Sequence, residues 1–435
     1  MRLVIPELSL VLLAGPTGSG KTTFARKHFK ASEILSIEQV RELVADDAID
    51  PAAYDDAFAS MSYLAMRRLS AGRMTVIDDR NLDPDARKML IGLAREHHVV
   101  PVGVVFHLPE AVLHQRNRAR GDDVHPPERI AREHILLRQQ LAGLEKEGFR
   151  HIFEFLSLQE VESVEVQRQR PWNRRTDERG PFDIVGDVHG CYDELRLLLQ
   201  KLGYLVYRDG DSPLSHHQIE HPLGRRLVFL GDLAGHGPKI VETLRLVMDA
   251  VDAGLALTVP GDHDARLVEW LHGHPAIRSE GLDASARQME ETPEEFRQET
   301  RGFLSSTVSH YVFDDGKLVV AHAGLPEALQ GRGSLQVRQF AIHGERLRDE
   351  ATPSVPSWPK HYNGRAEVVY GHCAVRQAQW VNRTICIDTA CVFGGKLTAL
   401  RYPERELVSV DALRTHVSLL SSLFAPAHAL PVPHR

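Results

Sequence analysis

Long apolar runs are missing from this chain, and so is the cysteine content of a disulfide framework. The 435 residues include four cysteines, Cys191, Cys373, Cys386 and Cys391. No two of them have C-x-x-C zinc spacing, and so few in so long a chain exclude a disulfide scaffold. Free thiols in a reducing cytoplasm are the expectation. The apolar stretch near Met1 is too short to span a bilayer, and no cleavage-site pattern follows it. A cytoplasmic protein without membrane association is therefore expected. Basic excess is also lacking: 52 Lys and Arg stand against 59 Asp and Glu, for a formal net charge of -7. Bulk charge does not draw such a chain to nucleic acid, so a nucleic-acid substrate would need a local basic surface. No internal repeat is visible.

What remains is ample for two globular domains. Hydrophobic residues make up 43% and charged residues 26%, ordinary values for soluble domains. In the first region, 1–160, short apolar runs at 8–14, 33–37, 74–77, 99–106 and 151–156 read as strands. Between them, 22–30, 52–71, 83–96 and 130–147 read as helices. This alternation predicts an α/β fold, a parallel sheet covered by helices. A charged stretch, 161–180, reads as a linker. The second region, 181–412, carries strands at 182–185, 226–230, 256–259, 317–320, 367–370 and 384–387. A charged insertion covers about 280–303, where Thr292-Pro293-Glu294-Glu295 predicts a helix capped by Thr292. The Pro-rich tail, 413–435, is expected to fray.

Gly15-Pro16-Thr17-Gly18-Ser19-Gly20-Lys21-Thr22 matches G-x-x-x-x-G-K-[ST] between a strand and a helix. Backbone N–H groups released by Gly15, Gly18 and Gly20 cradle phosphate, and the helix N-terminus adds positive potential. Lys21 neutralises the β- and γ-phosphates of ATP, the Thr22 hydroxyl holds Mg²⁺, and Thr23 adjoins them. The acceptor site of an open α/β sheet lies beyond its strand C-termini. Glu38 follows the second strand and could take the proton of an attacking hydroxyl. Arg41, one helical turn on, could bind an acceptor phosphate. Asp78 ends the third strand and could orient Mg²⁺ or acceptor. Arg116, Arg118 and Arg120 follow the fourth, where a lid would close over ATP.

The second region carries Gly186-Asp187-Val188-His189-Gly190, Gly231-Asp232, Gly261-Asp262-His263-Asp264, Ala321-His322-Ala323 and Gly371-His372, each at a predicted strand end. This set resembles the binuclear metallophosphoesterase signature. Two metals need carboxylates and imidazoles from several loops on one rim, one carboxylate bridging. The resemblance implies that Asp187, His189 and Asp232 hold one metal. Asp232 bridges to a second held by Asp262, His322 and His372. His263, backed by Asp264, protonates the leaving group.

Together the two regions resemble the bacterial polynucleotide kinase-phosphatase family over nearly the whole chain. The likeness includes Arg116-Asn117-Arg118-Ala119-Arg120, Arg170-Pro171-Trp172-Asn173, Ile385-Cys386-Ile387-Asp388-Thr389 and Val392-Phe393-Gly394-Gly395-Lys396-Leu397. It implies a P-loop NTPase-type domain followed by a calcineurin-like metallophosphoesterase sandwich. It also implies ATP-dependent phosphorylation of 5′-OH ends of RNA or DNA, with Glu38 as base and Arg41 and Arg116 on phosphates. Arg120 joins the loop residues as an ATP contact. Mg²⁺ serves the kinase and a divalent pair, Mn²⁺ by expectation, serves a 3′ or 2′,3′-cyclic phosphatase. Nucleic-acid ends, a separate ligase and a second copy in a homodimer are the expected partners.

Four departures stand out. Glu38 occupies a position where the family has Asp. Gly231-Asp232-Leu233-Ala234-Gly235-His236-Gly237-Pro238 replaces G-D-L-x-D-R-G-P, with His236 for the phosphate-clamping Arg. Asp262 stands in place of Asn, and the ligase domain that many members carry is not expected here. An attenuated or retargeted phosphatase is the expectation. Two rival readings stay open: a P-loop domain fused to a nucleotide or Ser/Thr protein phosphatase, and a regulatory protein that binds nucleotide and metal without turnover.

Overall fold

The strand Ser9–Ala14 is buried along its whole length, as a strand covered on both faces must be. It pairs in parallel with Thr75–Asp78 on one side and Val100–Phe106 on the other. Ile34–Ser36 extends the sheet beyond Thr75–Asp78, and His151–Phe155 beyond Val100–Phe106, both in parallel. Alternate side chains feed opposite faces. Leu10, Leu12 and Ile77 pack with Ile37, Met61 and Leu90 on one side. Val11, Leu13 and Val104 pack with Phe24, Phe106 and Phe155 on the other. The structure is a computed structural model describing residues 2–48, 50–119, 124–274, 279–345 and 356–417.

The span 161–180 is not the free linker that its charge predicts. Leu158–Ser163 is a helix capped by Ser157, whose hydroxyl accepts the Glu160 N–H at 3.3 Å. Glu165–Gln169 pairs in parallel with an N-terminal strand, Arg2–Pro6, that the sequence reading did not mark. Arg174–Arg175 pairs with Val312–Phe313. Backbone pairing satisfies these segments while their charged side chains reach water. The first compact unit comprises Met1–Pro171 with Arg332–Ser334, and the second comprises Trp172–Gly331 and Leu335–Arg435.

The second unit is a two-sheet sandwich. One sheet runs Ala256–Thr258, Arg226–Phe229, Phe182–Val185, Lys396–Tyr402, Glu406–Asp411. The first three of these strands are mutually parallel. The other sheet has Leu318–Ala321 and Glu367–Tyr370 as parallel neighbours near its centre. Phe182, Ile184, Val228 and Leu400 meet Phe313, Val320, Val369 and Ile385 between the sheets. Truncating a buried Phe in such a layer costs about 3–5 kcal/mol. Tyr192–Leu202 and Ile240–Asp252 close the outer face of the first sheet with Leu195, Leu199, Leu244 and Val247.

The charged insertion is ordered as two helices, Glu280–Glu290 and Glu294–Ser306. Thr292 does not cap the second: Pro293 holds that position, and the Thr292 hydroxyl donates to the Met289 carbonyl at 2.7 Å. The backbone turns one residue later than the motif suggests, so the hydroxyl closes the end of the preceding helix. The tail is anchored at its start, where Leu413 N–H donates to Glu194 Oε1 at 3.0 Å. The remainder of the tail, from 418, lies outside the described residues, as does Arg120.

Candidate functional site

In the first unit, Gly20 is the N-cap of the helix Lys21–His28, with φ 93°. That left-handed turn lets the loop wrap and aims the first helical N–H groups into a cavity of 480 Å³. Lys21 Nζ donates to the carbonyls of Gly15 and Pro16 at 2.8 and 2.9 Å and to Ser19 Oγ at 3.3 Å. Burial holds its ammonium below the usual lysine range, against the pull of Asp78 and Glu133. The Thr22 hydroxyl stands beside the Asp78 carboxylate and favours its charge, but burial outweighs it and pushes the group up. Asp78 Oδ2 has no hydrogen-bond partner. A hydroxyl and a carboxylate oxygen side by side suit a hard, oxygen-seeking cation such as Mg²⁺.

The same cavity is lined by Gly18, Thr23, Glu38, Arg41 and Arg116. Glu38 and Arg41 occupy the helix Ile37–Ala45 directly after the strand Ile34–Ser36. Arg41 is buried with its guanidinium 5.7 Å from the Tyr54 ring centre. Arg116 Nε donates to the Gly18 carbonyl at 3.0 Å. Arg118 is exposed at the last turn of Glu110–Arg118, since residues two apart on a helix do not share a face. Six cations, Lys21, Arg26, Arg41, Arg80, Arg116 and Arg129, line the cavity against three carboxylates, Glu38, Asp78 and Asp79. The acidic chain thus concentrates positive charge where a polyphosphate would sit.

Sequence reasoning missed Glu133, which braces this loop. Its Oε2 accepts Thr17 N–H at 2.7 Å, and its Oε1 accepts Arg80 and Arg129, both at 3.0 Å. Burial alone would raise its carboxyl, but those bonds outweigh it and hold the group at about 2. Its place on a long amphipathic helix gave no local signal.

In the second unit, Asp187, Asp232 and Asp262 follow the C-terminal ends of three neighbouring parallel strands. His322 and His372 follow two neighbouring parallel strands of the opposite sheet. Parallel pairing therefore delivers all five to one rim. Asp232 Oδ2 lies 3.5 Å from His189 Nε2 and 3.6 Å from His322 Nε2. Asp262 Oδ1 lies 3.4 Å from His322 Nε2 and 3.1 Å from His372 Nδ1. Asp187 Oδ2 accepts His372 N–H at 2.9 Å, while Oδ1 has no partner. His189, Asp232 and His372 take left-handed backbone, with φ 48°, 46° and 67°. Such residues cost about 1–3 kcal/mol each and cluster at functional sites.

This donor set fits two divalent cations. Asp187, Asp232 and His322 have ligand atoms in mutual reach, as do His189, Asp232 and His263, and Asp262, His322 and His372. Asp232 belongs to two groups, the placing expected of a bridge. His322 Nδ1 faces the Leu230 carbonyl at 2.9 Å and His189 Nδ1 the Ala234 carbonyl at 3.3 Å. A carbonyl only accepts, so both rings carry hydrogen on Nδ1 and turn Nε2 toward the carboxylates. The electrostatics call for positive charge. Burial, then Asp388, pushes the Asp187 carboxyl up; burial, then Asp262, does the same to Asp232. Burial opposes charge on His322, yet Asp187 and Asp262 push it up to about 9.

Asp264 does not back His263. Its carboxylate accepts the N–H groups of Ala234 and Gly261 at 3.0 and 3.1 Å and so ties two ligand loops together. His263 Nδ1 is buried without a hydrogen-bond partner. Neighbours in a helix point about 100° apart, so adjacency in sequence does not give contact. His236 packs edge-on to His263 and His189, ring centres 4.9 and 5.8 Å away. Two more groups escaped sequence reasoning. Asp388 is buried against Asp187, and Arg266 pairs with Asp262 at 2.7 Å. The i, i+4 spacing of the latter pair was a usable signal.

Among the described residues no helix is long and apolar enough to cross a membrane. Residues 10–146 match the model of the AAA domain, and residues 180–406 match that of the calcineurin-like phosphoesterases. The bis(5'-nucleosyl)-tetraphosphatase PrpE (asymmetrical) of Anoxybacillus flavithermus is 38% identical over 244 residues, 54% of this chain and 96% of that protein. The protein of the same name from Bacillus subtilis is 40% identical over 238 residues, 53% of this chain and 94% of its own. That from Bacillus velezensis is 41% identical over 238 residues, 53% of this chain and 92% of its own. With a P-loop unit ahead of it and a rim of carboxylates and imidazoles suited to two cations, the chain belongs to the calcineurin-like phosphoesterase family.

Proposed function

We propose that the chain is a nucleic-acid end-processing enzyme, an ATP-dependent 5′-OH polynucleotide kinase joined to a metal-dependent phosphoesterase acting on 3′ or 2′,3′-cyclic phosphates. The observation that carries the kinase half is one cavity lined by the phosphate loop and by Glu38 and Arg41. Glu38 accepts the proton of the attacking hydroxyl, Arg41 holds an acceptor phosphate, and Lys21 balances charge on the transferred group. Arg116 and the other cavity arginines stabilise charge spread over the phosphoryl oxygens. In the second unit a divalent pair, Mn²⁺ by preference, would supply Lewis acidity and lower the pKa of a bound water when held there. Asp187, His189, Asp232, Asp262, His322 and His372 hold and space them. His263 faces the leaving group. RNA or DNA ends are the substrates, and a separate ligase joins the products.

The test is end-labelling of 5′-OH oligonucleotides of RNA and DNA, with and without a 3′-phosphate, by the full chain with Mg²⁺ or Mn²⁺. Transfer of label to the 5′ end is expected. Absence of transfer across neutral pH would remove the kinase half of the proposal.

A second reading concerns the phosphoesterase alone, and the identity to the PrpE tetraphosphatases favours it. On that reading the site hydrolyses bis(5′-nucleosyl) tetraphosphates. Competition between such a dinucleotide and a 3′-phosphorylated oligonucleotide separates the two.

A further inference from the structure

The phosphoesterase site has an acid where the resembling family has an amide, and a stacked imidazole where it has a guanidinium. His236 is wedged among His263, His189 and Phe393, ring centres 4.9, 5.8 and 6.0 Å away. A side chain so placed cannot offer the fork of donors that grips two oxygens of one phosphate. Asp262 adds negative charge where a phosphate must approach. Yet its carboxylate is split between two tasks. Oδ1 faces His322 and His372 at 3.4 and 3.1 Å, and Oδ2 meets Arg266 at 2.7 Å.

Arg266 stands one turn along the helix Asp262–Leu271, which begins inside the site. Its side chain keeps 35% of its surface exposed against 7% for Asp262. One end of the guanidinium is thus held by a buried carboxylate while part of the side chain reaches solvent. Arg266 is also the one Arg or Lys among the leading electrostatic neighbours of His236, His263 and His343 in the described structure.

We propose that Arg266 binds the non-bridging oxygens of the substrate phosphate in this site and, through Asp262, cancels the charge that the acid introduces. The pair sets a carboxylate and its own arginine side by side at this rim. The inference rests on the phosphoesterase site itself and holds for an oligonucleotide 3′-phosphate or a nucleoside polyphosphate alike. It also assigns the departures at 236 and 262 to one rearrangement of charge.

The experiment measures inorganic phosphate binding to the Mn²⁺-loaded full chain by calorimetry, with Mn²⁺ affinity determined separately. Wild type, Arg266→Met, Arg266→Lys, Asp262→Asn and the Asp262→Asn/Arg266→Met pair are compared. Loss of a charged hydrogen-bond donor to phosphate predicts about tenfold or weaker phosphate binding in Arg266→Met, with Mn²⁺ affinity equal or higher. Arg266→Lys should recover part of the loss, and the loss should persist beside Asp262→Asn. Should Arg266→Met weaken phosphate binding only when Asp262 is present, the residue is a counter-ion and its contact with phosphate is refuted. Unchanged phosphate binding in folded Arg266→Met, or loss of Mn²⁺ binding in both Arg266→Met and Arg266→Lys, overturns the proposal outright. Because the readout is phosphate binding, failure of the kinase assay or of a particular phosphatase substrate leaves this test independent.

Discussion

Glu133→Gln offers a direct test of how the phosphate loop is held. Glutamine keeps the shape and can still accept Thr17 N–H, so the change removes mainly charge. The carboxyl falls from 4.5 to about 2 on folding, which corresponds to about 3 kcal/mol at about 1.4 kcal/mol per pH unit. Arg80 and Arg129 keep 34% of their side-chain surface exposed against 3% for Glu133. Water therefore recovers part of their charge, and the expected cost is about 2 kcal/mol. For a unit of this size that lowers the melting temperature by about 4–8 °C. The sign with pH follows from the depressed carboxyl. The stabilisation is complete above the unfolded value of 4.5 and is lost as pH falls toward about 2. Urea unfolding of wild type and variant at pH 7 and at about pH 3.5 should show the difference shrinking by about 1.4 kcal/mol. A variant as stable as wild type at pH 7 would refute the reasoning. So would a difference that stays constant into acid.

Three further expectations concern the two sites. Lys21→Ala should abolish ATP-dependent label transfer while leaving Mn²⁺ binding untouched, as read by end-labelling and calorimetry. Glu38→Asp should raise kinase turnover, because moving the carboxylate by on the order of 1 Å changes rates by about 100-fold; a large loss would show a site built around the longer side chain. Gly371→Ala should abolish tight binding of divalent cations, because an added methyl would overlap Asp187 Oδ1, and undiminished Mn²⁺ affinity in the variant would contradict the placing of Asp187.

The strands of the parallel sheet were legible because buried strands are continuous apolar runs, and each end lies within one residue of its expected position. The loops that carry Lys21, Asp187, Asp232 and His322 were legible because their spacing is set by phosphate and metal chemistry. The strand Glu165–Gln169 was not. Its pairing with Arg2–Pro6 joins distant backbone and needs no apolar side chain. The partner of His263 was misread for a similar reason. Which way Asp264 points depends on helix phase and on the neighbouring loop at Ala234, neither visible in Gly261-Asp262-His263-Asp264. Glu133 acts through a contact made 116 residues away, and Asp388 acts electrostatically on Asp187, far from it in the chain.

The self-bonding of the phosphate loop has a consequence for ligand choice. Lys21 is satisfied by three oxygens of its own loop, and Arg116 by a fourth on Gly18. The two cationic side chains therefore already hold oxygen acceptors, while the N–H groups at the start of the helix face the cavity. A ligand enters only by offering enough oxygens to displace those acceptors together. That makes the loop a threshold device, responsive to the number of linked phosphates more than to the base attached. A nucleoside triphosphate offers the linked oxygens that such an exchange at Lys21 and Arg116 needs, and a monophosphate offers fewer.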